Sequence, residues 1–147
     1  GGGAELAMAC DYRLAIEKAS IGFVHSTLNI TTAWGGIIDL IYSLGHTKAL
    51  FTLIEGKTIK AKEAQKLGLI DSVIDDIDSA YLSSETIKQT FDTCNTDIVR
   101  SNKAIINESK RLFHQNLETA ETVEFKKTWS SKEHWDALEA LLSELPS

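Results

Sequence analysis

The 147-residue chain is 43% hydrophobic and 24% charged, with one Pro and a net charge of −6; that is the composition of one globular domain, not of a disordered, fibrous or disulfide-dense chain. No apolar run reaches the roughly 18 to 20 residues a membrane span needs, and an acidic chain without a basic stripe lacks the attraction on which nucleic-acid binding rests. Cys10 and Cys94 match neither a CxxC pair nor a zinc-ligand spacing; both read as reduced structural residues of a soluble intracellular protein, with no metal expected.

In chain order, Gly1-Gly2-Gly3 run into Ala4-Glu5-Leu6-Ala7-Met8-Ala9-Cys10. With no initiator Met, the sequence reads as a fragment whose glycines belong to the fold. Residues 4–10 predict a short helix buried on nearly all sides, carrying one conspicuous charge, Glu5. Tyr12–Ile16 and Ile21–Val24 predict short strands joined by a polar turn, and His25–Trp34 a loop. After Gly35-Gly36 the apolar spacing predicts a helix ended by Gly45, then a second over Thr47–Glu55 with Ala49, Leu50, Leu53 and Ile54 as its apolar face. Ala61–Leu67 predicts a helix closed by Gly68, and Leu69–Ile74 an extended segment interrupted by Asp71.

Asp75-Asp76-Ile77-Asp78 marks a boundary between residues 1–74 and 75–147. The acidic excess lies beyond it: residues 1–74 hold seven acidic and seven basic side chains, and residues 75–147 hold fourteen and eight. Four helices are predicted there, over 78–94, 97–116, 119–129 and 132–143. Ile98, Ile105 and Leu112, beside Val99, Ile106 and Phe113, draw an apolar stripe that reads as packing. Trp129 and Trp135 read as anchors in a core or an interface. His46, His114 and His134 read as ordinary helix-end residues. The terminal stretch, residues 141–147, carries no basic cluster.

A helix starting in three glycines directs unsatisfied N–H groups at whatever approaches, and glycines permit close approach. Neither nucleotide-loop spacing, GxGxxG or GxxxxGK[ST], is present, so an oxyanion site is the better reading. Such a donor is worth about 3 to 4 kcal/mol in a transition state. The plainer readings are a tight turn that uses Gly for sterics and a first-turn Glu favoured by the helix dipole. A carboxyl group on a buried helix is expected to have its pKa raised towards the range of a working acid or base.

Gly1–Asp11 resembles the signature of the crotonase superfamily, the enoyl-CoA hydratases and isomerases. The similarity continues through Ala19-Ser20-Ile21-Gly22-Phe23, Trp34-Gly35-Gly36, Gly56-Lys57-Thr58-Ile59, Ala61-Lys62-Glu63-Ala64 and Gly68-Leu69-Ile70-Asp71. The resemblance implies an α/β fold: part of a superhelix of ββα turns over residues 1–74, then a helical trimerisation region over 75–147. It implies an acyl-CoA thioester as substrate, with no further cofactor, and a homotrimer or hexamer. Gly2 matches the backbone N–H that forms half of the oxyanion hole, and Glu5 the first catalytic glutamate. Gly1, Gly3, Phe23, Trp34 and Gly35 are the companion substrate-binding candidates. The second oxyanion donor and most of the CoA surface would come from a segment preceding Gly1.

Hydratases of this family carry a second glutamate twenty residues after the first, where this chain has His25. Hydration needs one group to activate water and another to manage the proton; an imidazole there points away from it. Phe23-Val24-His25 with Trp34-Gly35-Gly36 instead resembles the ethylmalonyl-CoA decarboxylase branch, which acts on 2-carboxylated acyl-CoAs. The expected activity is decarboxylation of ethylmalonyl- or methylmalonyl-CoA through a thioester enolate held in the oxyanion hole. His25 would orient the departing carboxylate or help reprotonate the α carbon, Trp34 and Phe23 would form a dry wall, and a protonated or hydrogen-bonded Glu5 would donate the proton. The alternatives are an enoyl-CoA hydratase or isomerase using Glu5 alone, and a catalytically incomplete oligomerisation module. A cytosolic location is expected, with a mitochondrial one left open.

Overall fold

The computed structural model describes residues 1–144; residues 145–147, part of the terminal stretch read as lacking a basic cluster, lie outside the described residues. Helix α1 (Gly2–Ala9) begins two residues earlier than predicted and takes Gly2 and Gly3 into its first turn. The Gly1 carbonyl accepts from the N–H of Ala4 at 2.8 Å and of Glu5 at 3.3 Å. Strand β1 (Leu14–Ile16) and strand β2 (Ser20–Gly22) follow across a tight turn, yet they do not pair with each other. β1 pairs in parallel with β4 (Ser72–Ile74), Leu14 facing Ser72 and Ile16 facing Ile74. β2 pairs antiparallel with β3 (Thr58–Lys60).

Gly22 is needed where it stands, because a Cβ there would lie 2.9 Å from the Lys57 carbonyl oxygen. Asp71, which interrupts the predicted extended segment, pins β1 to β4: its Oδ2 accepts from the Arg13 backbone N–H at 2.8 Å and from Nε at 2.9 Å. Burial alone would raise the Asp71 pKa, but its side-chain and backbone bonds from Arg13 outweigh that and hold it low.

Helices α2 (Gly36–Leu44), α3 (His46–Glu55) and α4 (Ala61–Leu67) follow the prediction closely. The core gathers Ala4, Met8, Phe23, Leu40, Ala49, Ala64, Leu69 and Ile70 from all of these elements. Beyond β4 come α5 (Ile77–Asp92), α6 (Thr96–Thr128) and α7 (Lys132–Ser143). α6 is one helix of 33 residues where two were predicted. No Gly or Pro stands between residues 116 and 119 to end it. The side chains of Asp76, Asn95 and Ser131 cap the three N-termini.

Several burial expectations are corrected. α1 buries only Ala4, Glu5 and Met8, and Leu6 is exposed. On α3 only Ala49 is buried, whereas Leu50 and Ile54 face outward. The α6 stripe of Ile98, Ile105 and Leu112 is exposed, not packed within the chain. Cys10 and Cys94 are exposed free thiols. Trp129 is half-exposed, stacked on Phe125 with ring centroids 5.3 Å apart.

Candidate active site

Glu5 projects from α1 into the turn that precedes α2, and only 4% of it is exposed. Its Oε1 accepts from three backbone N–H groups, those of Ala33 at 3.2 Å, Trp34 at 3.0 Å and Gly36 at 3.2 Å. Its Oε2 faces His25 Nε2 at 3.0 Å. The turn can wrap a carboxylate this closely because Gly35 takes φ +79° and Gly36 has no side chain; a Cβ on Gly36 would lie 2.4 Å from Glu5 Cγ. Such a concave run of N–H groups is an anion cradle, and here the anion is supplied by the chain itself.

These contacts decide the protonation of Glu5 against the sequence-based expectation. Burial by itself would raise its pKa, but the hydrogen bond and charge of His25, together with the N–H groups of Trp34 and Ala33, hold it below the ordinary value. Glu5 is therefore placed as a carboxylate that accepts four hydrogen bonds.

His25 is the second residue of the short 3-10 turn Val24–Leu28, which closes on Asn29 at φ 52°. Since Glu5 is ionised and can only accept, Nε2 of His25 carries the proton between them. Nδ1 of the same ring is buried and has no hydrogen-bond partner among the described residues.

The other candidates divide. Gly2 and Gly3 lie in the first turn of α1, where backbone N–H groups have no intrahelical acceptor. Trp34 packs over Gly2, its ring 2.8 Å from where a Cβ would stand, while the rest of the side chain is exposed. The Gly1 backbone nitrogen donates to the Gly22 carbonyl. Phe23 is wholly buried in the core, its ring centroid 6.2 Å from that of His25. The Gly35 N–H donates to Glu121 Oε2 at 2.9 Å and is not available to a ligand.

Glu121 was not anticipated. It projects from α6, is buried, and also accepts from Thr32 Oγ1 at 2.6 Å. Nor were Asp39 and its partners: the buried Asp39 Oδ1 meets His114 Nε2 at 2.8 Å and Lys110 Nζ at 3.0 Å. His114, read as a helix-end cation, stands mid-helix and packs against Gly35. His134, also read as ordinary, is buried, and its Nδ1 donates to the Leu28 carbonyl at 2.8 Å. The signal was present as the spacing of Lys110, His114, Leu117, Glu121 and Thr128, one face of a helix. Because that face is polar, a search for apolar periodicity passes over it. Trp34, Gly35, His114, Glu118, Glu121 and Lys126 are among the residues around an open cavity of about 610 Å³.

The family model described as enoyl-CoA hydratase/isomerase matches residues 1–143. The chain belongs to the enoyl-CoA hydratase/isomerase, or crotonase, family. An ethylmalonyl-CoA decarboxylase of Xenopus laevis is 32% identical over 142 residues, covering 94% of this chain and 46% of that protein. A short-chain-enoyl-CoA hydratase of Clostridioides difficile is 46% identical over 74 residues, covering 50% of this chain and 48% of its own. Among solved structures, an enoyl-CoA hydratase from Bacillus halodurans superposes with a TM-score of 0.83 at 24% identity, covering 95% of this chain and 56% of that one. The chain thus has the crotonase fold that its motifs implied, and it spans about half the length of the curated relatives it matches.

Proposed function

We propose that the chain carries the catalytic half-site of a crotonase-family acyl-CoA decarboxylase acting on 2-carboxylated thioesters of the ethylmalonyl or methylmalonyl type. The observation that carries this reading is His25: one ring nitrogen is committed to an ionised Glu5, and the other is buried and unpartnered among the described residues. When protonated, a ring anchored in this way offers Nδ1–H to a substrate carboxylate or, after CO2 has left, to the α carbon. In the reaction the bond from the α carbon to the carboxylate breaks and its electron pair passes into the thioester as an enolate. The Gly2 N–H stabilises the enolate oxygen. A proton then returns to the α carbon and yields the shortened acyl-CoA. Glu5 holds the imidazole in place through Nε2. Its own negative charge is already met by three N–H groups and His25, so it does not strongly repel an incoming carboxylate. The name of the Xenopus laevis relative is in keeping with this chemistry.

A second reading, an enoyl-CoA hydratase, is favoured by the 46% identity to the Clostridioides difficile protein over half of the chain. Under either reading the exposed stripe of Ile98, Ile105 and Leu112 supports association of copies through α6. The test is CO2 release from ethylmalonyl-CoA and methylmalonyl-CoA with crotonyl-CoA hydration measured alongside, on this chain alone and within any longer protein that contains it. His25→Glu is expected to lower CO2 release by about 10²-fold or more and to raise hydration. Undiminished CO2 release in that variant would remove His25 from the mechanism, and hydration without CO2 release in the parent would establish the second reading.

A further inference from the structure

Five consecutive backbone N–H groups form the turn into α2, and every one has an identified acceptor. Those of Ala33, Trp34 and Gly36 go to Glu5, that of Gly35 to Glu121 Oε2, and that of Ile37 to Thr32 Oγ1 at 3.1 Å. The Thr32 hydroxyl in turn donates to Glu121 Oε1. Two buried carboxylates therefore grip one turn from opposite sides, one from α1 and one from α6, more than a hundred residues apart in sequence. The left-handed Gly35 makes this possible by turning its N–H away from its neighbours' and towards α6.

We infer that Glu121 is a positioning residue for the Glu5–His25 site: from α6 it fixes the Thr32–Gly36 turn whose N–H groups hold Glu5 in place against His25. The inference rests on the reading of Glu5 and His25 as the working pair. Glu121 touches neither of them. Without it the Gly35 N–H and the Thr32 hydroxyl are left in a buried setting with no acceptor, a cost that drives the turn to rearrange. Once the turn moves, the donors that keep Glu5 ionised and facing Nε2 of His25 move with it. The helical region that follows residue 75 is on this account part of the site, and not only a means of assembly.

The test follows the Glu5 carboxyl signal by carbon NMR in the chain labelled at glutamate, identified by its loss in Glu5→Gln, together with amide exchange at Trp34 and Gly36. Glu121→Ala, and to a lesser degree the near-isosteric Glu121→Gln, are expected to raise the Glu5 titration midpoint by about one pH unit and to speed exchange at both amides roughly tenfold, while the Met8 and Leu40 amides stay protected. Glu118→Ala, on the same helix but exposed, is expected to change neither. An unchanged Glu5 titration in folded Glu121→Gln would overturn the inference. So would loss of protection at Met8 and Leu40 in that variant, which would make Glu121 a general support of the fold. If the shifts occur but the parent releases no CO2, the functional reading fails and the positioning role stands.

Discussion

Glu5 shows how strongly a few donors can reverse the effect of burial. The ordinary carboxyl pKa lies near 4.5 and the folded value lies below it, so the folded chain binds this proton less readily than the unfolded one. The stability that Glu5 contributes is therefore fully present above its unfolded pKa and is lost as pH falls through the lowered folded value. In urea unfolding measured between about pH 5 and 3, the parent is expected to lose more stability than Glu5→Gln, whose amide does not titrate; parallel acid limbs would contradict the ionised assignment. Glu5 and His25 could both be picked out as candidates from the sequence, the one as the lone charge on an apolar helix and the other by its place in a family motif. Their hydrogen bond, and the resulting charge on Glu5, could not, because both depend on where residues 33–36 pass in space.

At the scale of elements, the glycines at 35 and 36 do different jobs that one sequence motif runs together. Gly35 supplies a left-handed φ, whereas Gly36 supplies room for Glu5. Gly36→Ala places a methyl group 2.6 Å from Glu5 Oε1, and the expected cost is about 1 to 3 kcal/mol of stability, read as a lowered denaturant midpoint with the slope unchanged. A midpoint equal to the parent's would mean that the turn yields easily. The helices α2, α3 and α4 were legible because Gly45, Gly56 and Gly68 end them with backbone conformations that only Gly takes at little cost. β3 was missed because Thr58-Ile59-Lys60 carries a single apolar residue with no apolar neighbour in the run, and only its pairing with β2 makes it a strand. α6 was divided in two because its apolar stripe fades after Phe113, although its backbone continues without a break. Beyond that point its inward face is polar: Glu121 and Thr128 hydrogen-bond the loop, and His114 meets Asp39.

Across the whole molecule, the described residues bury a modest core and leave large apolar side chains outward along α3, α5 and α6. Association through α6 predicts that Ile105→Asp, at a position 70% exposed within the chain, reduces the assembly to smaller species in sedimentation while the helical circular dichroism signal is retained. An unchanged sedimentation profile would place the contact elsewhere. By itself the sequence determined the family, most of the helices, and the residue types at the site, since these follow from local propensity, glycine placement and short ordered motifs. Only the tertiary structure decided which strands pair, that α6 is continuous and hydrogen-bonds the Thr32–Gly36 turn, and that Glu5 is met by four donors, His25 among them. Those properties arise from contacts between residues 20 to more than 80 positions apart, and no local pattern encodes the distance between two such groups or the dielectric in which they meet.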